Sequence, residues 1–266
     1  MTAAAGASPA PFVVIIPARF GSTRFPGKPL IDLFGRPMIL RVAERAAQSD
    51  ASQIFVATDD DRIASVCAAA GVSTVRSRVE HATGTDRLSE AAQLLALPAD
   101  TIVVNVQGDE PEIPVTAINH VAALLAADAD AAMATLCHPI DDVAELRNTN
   151  VVKCVVTEDG HALYFSRAPI PFARDAWMQG VDSLPAGLPV YRHVGLYAYR
   201  VSFLRRFPSL SVPALERFEA LEQLRALAHG FRIRVGIIDT PLPPGIDTPE
   251  DYQRLLERCV NRGASR

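Results

Sequence analysis

Three cations and two glycines crowd into one short turn. The stretch IIPARFGSTRFPGKPL, residues 15–30, sets Arg19, Arg24 and Lys28 with Gly21 and Gly27 directly behind an apolar run. Glycines let backbone N–H groups close on oxygens, while Arg and Lys offset several negative charges, so the chemistry suggested is the binding of polyphosphate. It is not a Walker loop, which needs four residues between its glycines and a Ser or Thr after its lysine. Here five residues separate the glycines and Pro29 follows Lys28. The three-glycine dinucleotide fingerprint is absent as well.

Two acidic stretches lie far from this loop in sequence. TIVVNVQGDEP puts Asp109 just past an apolar run, where either turn chemistry or a ligand explains it. In PPGIDTPEDYQRLL, Thr248, Pro249 and Asp251 form a helix start with a capping-box spacing. Thr248 supplies the cap, so the fold does not require the neighbouring Asp247 carboxylate for that purpose. Two carboxylates at separate strand ends, facing a loop that holds polyphosphate, suit Mg²⁺ and phosphoryl-type chemistry.

Three further patterns carry polar groups. In RHVGLYAY, His193, Gly195 and Tyr197 alternate with Val194, Leu196 and Ala198, which predicts a strand with one polar and one apolar face. In LERFEALEQLRALA the helical period puts Leu215, Phe218, Leu221, Leu224 and Ala228 inside, Glu222 at the border and Gln223 outside. In HATGTDR, residues 81–87, Thr83 or Thr85 either caps the following helix or belongs to a ligand pocket.

The elements that must position these groups follow from the rhythm of the chain. VVIIP, PMILRVAERAAQ, QIFVATD, RIASVCAAAG, VSTVR, DRLSEAAQLLA and TIVVNVQ alternate strand and helix patterns, the mark of βαβ units. The fold class is therefore α/β, a mainly parallel sheet with helices on both faces, Rossmann-like, and ligands on such sheets bind beyond the carboxyl ends of the strands. After about residue 131 the runs AAMATL, VVKCVV, ALYFSR and HVGLYAY, with prolines at 169, 171, 185 and 189, predict hairpin-like strands in a smaller mixed lobe at about 131–212. A helix at about 213–228, a strand RIRVGII and a helix near Pro249 close a single domain of residues 12–262 behind a loose tail, 1–11.

Composition narrows the function classes. With 266 residues the chain needs no disulfide or metal to fold. A formal charge of −4 gives no overall drive toward nucleic acid or a membrane surface, and no apolar run approaches the length of a membrane span. Four scattered cysteines without a CxxC pair, six histidines without ligand spacing and no signal-like start point to a cytoplasmic protein without a zinc site.

Taken together, IIPAR, GSTRFPGKPL, VNVQGDEP, LYFSRAPIP, RHVGLYAY, LEQLR and DTPED resemble, in order and over about residues 12–258, the CMP-Kdo synthetases, or 3-deoxy-manno-octulosonate cytidylyltransferases. The resemblance implies a nucleotidyltransferase that joins CTP to the acid sugar Kdo, giving CMP-Kdo and pyrophosphate for lipopolysaccharide synthesis, as a homodimer built on the smaller lobe. It implies that Arg19 and Lys28, with Gly21, Ser22 and Arg24 beside them, hold the triphosphate, and that Asp109 and Asp247 hold Mg²⁺. Thr83, Gly84, Thr85, Arg87 and Gln107 would meet the nucleotide. Gln107, Arg167, His193, Tyr197, Glu222 and Gln223 would meet the sugar. Where the family usually reads Ser-Gly-Thr-Glu-Arg this chain has Thr83 and Asp86, which keeps the hydroxyl and shortens the acid.

Three other readings stay open on the residues. An enzyme for another acid sugar would share the nucleotide half. A sugar-nucleotide-dependent glycosyltransferase would carry a D-x-D motif where QGDEP has one aspartate, and a non-catalytic nucleotide sensor would not need both Asp109 and Asp247.

Overall fold

The computed structural model describes residues 11–21, 25–78, 81 and 83–264, so Ser22, Arg24 and nearly all of the tail lie outside the described residues. The first half follows the βαβ pattern: β1 Phe12–Ala18, α1 Met38–Ala46, β2 Gln53–Thr58, α2 Asp61–Ala69, β3 Thr74–Arg76, α3 Gly84–Leu94, β4 Ile102–Asn105 and α4 Val115–Ala126. The second half adds β5 Ala131–Pro139, α5 Val143–Arg147, β6 Lys153–Val156, β7 Ala162–Ser166, β8 Tyr191–Arg200, α6 Val201–Arg206, α7 Ala214–Glu219, α8 Gln223–Ala228, β9 Arg232–Ile237 and α9 Pro249–Ala264.

The sheet runs β3-β2-β1-β4-β8-β5-β9. All of its strands are parallel except β8, which runs antiparallel between β4 and β5. The hairpin β6–β7 extends from β8. From the segment read in sequence as a smaller lobe, β5 and β8 thus enter the central sheet, while β6, β7 and the proline-bearing 168–190 connection extend beyond it.

Strand alternation supplies a core on each face. Val14 and Ile16 of β1 pack with Ile39 and Val42 of α1, Ile63 of α2 and Ile118 of α4. Val13 and Ile15 face the other way, with Leu88 of α3, Phe203 of α6 and Leu224 of α8. On β8 the same alternation sends Leu196 and Ala198 to the first cluster and Tyr197 and Tyr199 to the second. The alternation expected of that strand is present, but the face expected to be polar packs Tyr197 and Tyr199 into a second apolar cluster, and a register shift opposite Thr135 and Leu136 interrupts the ladder.

The long helix expected at 213–228 is two short ones. Ala220 adopts φ 51°, ψ 50°, a left-handed conformation that ends α7. The break rotates the first turns away from the core, so Leu215 and Phe218 are 50% and 89% exposed, not inside. Gln223, placed outside by an unbroken period, is buried at 8% exposure. An alanine gives no warning of a left-handed residue, which is why the periodicity misled.

Candidate active site

The basic loop leaves β1 at its carboxyl end and returns on itself. The Gly27 N–H donates to the Phe20 carbonyl at 3.1 Å, and Gly27 takes φ 74°, which favours glycine at this turn. A single 3-10 turn, Lys28–Leu30, then aims the Lys28 ammonium back across the strand ends.

There it meets both acids. Lys28 Nζ donates to Asp109 Oδ2 at 2.6 Å and to Asp247 Oδ1 at 3.3 Å. Asp109 follows Gly108 beyond β4, and a Cβ on Gly108 would stand 2.9 Å from the Pro17 carbonyl oxygen. Only glycine lets the QGDEP turn lie against β1 so closely. Asp247 is brought in by the backbone: the Ile246 N–H donates to the Asp109 carbonyl at 2.9 Å. The capping box expected at α9 is present, with Thr248 N–H and Oγ1 each 2.9 Å from Asp251 Oδ2 and the Asp251 N–H 3.2 Å from Thr248 Oγ1. Burial raises the Asp251 pKa, but the bonds from Arg254, Thr248 and the Asp247 backbone bring it down to about 2. Asp251 thus stays charged and holds the helix start while the Asp247 carboxylate faces Lys28.

Around this cluster opens a cavity of about 490 Å³. Its walls include Arg19, Gly21, Lys28, Thr83, Gly84, Arg87, Gln107, Asp109 and Asp247, all named from sequence, together with His81, which was not. Arg87 is 2% exposed, within 3.5 Å of Asp59 Oδ2 and bonded to Ser77 Oγ. Beside Asp109, burial first and then the Asp109 and Asp247 charges push the Glu110 carboxyl up to about 8.

A smaller chamber of about 80 Å³ adjoins the first and shares Gly84 and Gln107 with it. Thr85, Tyr197, Glu222 and Gln223 line it, as do Asn105, Met133, Tyr199 and Phe207. Glu222 Oε1 accepts the Thr85 backbone N–H at 3.1 Å and so ties α8 to the first turn of α3. Burial raises its pKa, and its hydrogen bonds to Thr85 and Thr83 oppose that rise. Thr83 caps α3 in a reciprocal box with Asp86, so the capping role weighed for this segment is realised.

Two residues expected at the sugar, His193 and Arg167, are not among those lining the two chambers. His193 lies behind Tyr197, ring centroids 5.2 Å apart, with its Nε2 3.1 Å from Thr135 Oγ1. Desolvation pushes its pKa down to about 3, which keeps the ring neutral. Arg167 lines neither chamber. Its Nε donates to the Glu219 carbonyl at 2.7 Å and its Nη1 to the Thr149 carbonyl at 3.0 Å, so it clamps the end of α7 at the Ala220 break.

Among the residues sequence reasoning missed, Asn105 had a signal, an amide set between Val104 and Val106 in the apolar run TIVVNV. Met133 and Phe207 had none, because an apolar wall residue reads as core. Among the described residues no group of three or more His, Cys, Asp or Glu could hold a metal ion. Asp109 and Asp247 converge on one cation, the Lys28 ammonium; these are the two carboxylates that would hold a divalent ion here, its remaining ligands coming from substrate and water.

A mainly parallel sheet whose strand ends carry a basic loop and two carboxylates defines a nucleotidyltransferase-type enzyme. The cytidylyltransferase family model matches residues 13–233, and the chain belongs to that family. A solved CMP:2-keto-3-deoxy-manno-octonic acid synthetase, in complex with CTP, is 38% identical, with a TM-score of 0.86 over 95% of this chain and 100% of that one. A cytidylyltransferase from Leptospira borgpetersenii serovar Hardjo-bovis shares the fold at 20% identity, TM-score 0.57, over 92% of this chain and 85% of that one. A nucleotidyl transferase from Methanothermobacter thermautotroptrophicus does so at 14% identity, TM-score 0.58, over 94% and 98%. Among the described residues no helix is long and apolar enough to cross a membrane.

Proposed function

We propose that the protein transfers the CMP unit of CTP to Kdo, releasing pyrophosphate and making the activated sugar for lipopolysaccharide. The observation that carries this reading is the pairing of two chambers, one ringed by cations and carboxylates and one lined by uncharged polar groups and Glu222, in a chain similar end to end to a CMP-Kdo synthetase.

In this reading Arg19 and Lys28 take the triphosphate in the large cavity and stabilise the charge that develops on the leaving pyrophosphate. Tyr197, Glu222 and Gln223 take the sugar. Gln107 and Gly84 border both chambers, so the seam beside them is where the anomeric hydroxyl attacks the α-phosphorus in line. Asp109 and Asp247 would hold Mg²⁺, which supplies neutralisation of the phosphate charge and a lowered hydroxyl pKa. No covalent enzyme intermediate is required.

The reading extends to assembly and place. Leu163 of β7, Phe172 and Met178 of the following connection and Phe218 of α7 are 60%, 58%, 76% and 89% exposed, apolar surface that suits a homodimer. A monomer in sedimentation at micromolar concentration would reject the dimer. A cytoplasmic site of action fits the use of CTP and four free cysteines.

The test of function is pyrophosphate release with CTP against Kdo, its amino analogue and sialic acid. Release with Kdo above the others is the expected result. Preference for another acid sugar would keep the nucleotide half and reject the sugar assignment.

A further inference from the structure

Six buried side-chain atoms among the described residues have no hydrogen-bond partner, and three of them belong to residues that line the small chamber: Asn105 Oδ1, Tyr197 OH and Gln223 Nε2. Their residues are 4%, 9% and 8% exposed. Buried polar groups are as a rule hydrogen-bonded, so three orphaned ones on the residues around one chamber of about 80 Å³ mark it as a place for polar ligand atoms.

Asn105 is the member with no structural explanation. It closes β4 after Ile102, Val103 and Val104, where an apolar residue would continue the core. Across the antiparallel ladder it pairs directly with Tyr197, and such opposed residues present their side chains on the same face. Gln223 arrives from α8, so three separate elements converge on the same space. Met133 and Phe207 supply apolar wall beside them.

We propose that Asn105 is a specificity-determining residue that hydrogen-bonds a hydroxyl of the acceptor sugar, beside Tyr197 and Gln223, which the reading above already assigns to that sugar. The inference rests on the acid-sugar reading above and extends it to a residue that reading does not use. The three groups offer a hydroxyl acceptors and donors but no charge. They therefore suit the polyol part of the ligand, not its carboxylate. Site polar groups left unpaired by an analogue lacking the matching hydroxyl make such discrimination steep.

The test is steady-state kinetics of the parent, Asn105→Leu and Asn105→Ser with CTP and Kdo, then with a set of Kdo analogues each lacking one hydroxyl. The serine variant, smaller than the residue it replaces, keeps the comparison available should the leucine variant aggregate. Expected is a rise of about tenfold or more in KM for Kdo with KM for CTP within about twofold. One deoxy analogue should further be used equally well by parent and variant, an equality that a structural role for Asn105 would not produce. Unchanged Kdo kinetics, or equal losses for both substrates, would overturn the role of Asn105 while leaving the enzyme's function standing. A parent inert toward every acid sugar would overturn both.

Discussion

Lys28 Nζ lies 2.6 Å from Asp109 Oδ2, a contact between residues 81 positions apart that joins the basic loop to the acidic turn. The same ammonium reaches Asp247 at 3.3 Å. A group so placed offsets one of the two carboxylate charges, and it stands within the same cavity to meet a triphosphate. Lys28→Ala should keep its fold and lose about 3 to 4 kcal/mol of barrier lowering, a fall in kcat of hundreds-fold. A loss under tenfold would count against the assignment.

The two acids should separate on substitution. Asp247→Asn should retain affinity for Mg²⁺–CTP and lose turnover, because the Ile246–Asp109 backbone bond and the Thr248–Asp251 cap still hold the loop when this carboxylate becomes an amide. Asp109→Asn should weaken Mg²⁺–CTP binding as well. Calorimetry beside a turnover assay reads both, and an Asp247→Asn enzyme as fast as its parent would dismiss the two-carboxylate site.

Arg167 should prove a structural clamp. Arg167→Ala leaves the Glu219 and Thr149 carbonyls without their donor and should cost about 1–3 kcal/mol of stability. Thermal unfolding would show it. A variant as stable as the parent but with a raised KM for Kdo alone would return Arg167 to the sugar carboxylate.

His193 should make the fold acid-sensitive. Its pKa is depressed from 6.5 to about 3, so the unfolded chain takes up a proton that the folded one refuses. The stability this neutral ring contributes is complete above about pH 6.5 and is lost progressively as pH falls toward 3, by up to about 1.4 kcal/mol per pH unit. Between pH 6.5 and 5, above the main carboxylate titrations, denaturant unfolding of His193→Gln should show a shallower pH slope than the parent. Equal slopes would show that His193 titrates normally.

Much of this was legible in the residues. The apolar run at 13–16 announced a central strand, the loop of glycines and cations behind it does border the large cavity, and Thr248 and Asp251 announced a helix start. What stayed hidden depended on contacts distant in sequence. Nothing local says that β8 runs against its neighbours, that Ala220 turns left-handed and buries Gln223, or that Arg167 spends its donors on carbonyls. Asn105 was visible as an anomaly in an apolar run, but its meaning required Tyr197 opposite it.

The central claim is that the α-phosphoryl group of CTP moves to a sugar hydroxyl. It is tested most directly by following CTP labelled at the α-phosphorus, and separately at the γ-phosphorus, through one reaction with Kdo. The account predicts the α-label in a sugar-linked CMP and the γ-label in pyrophosphate. A γ-label on the sugar, or both labels left in CTP, would contradict it.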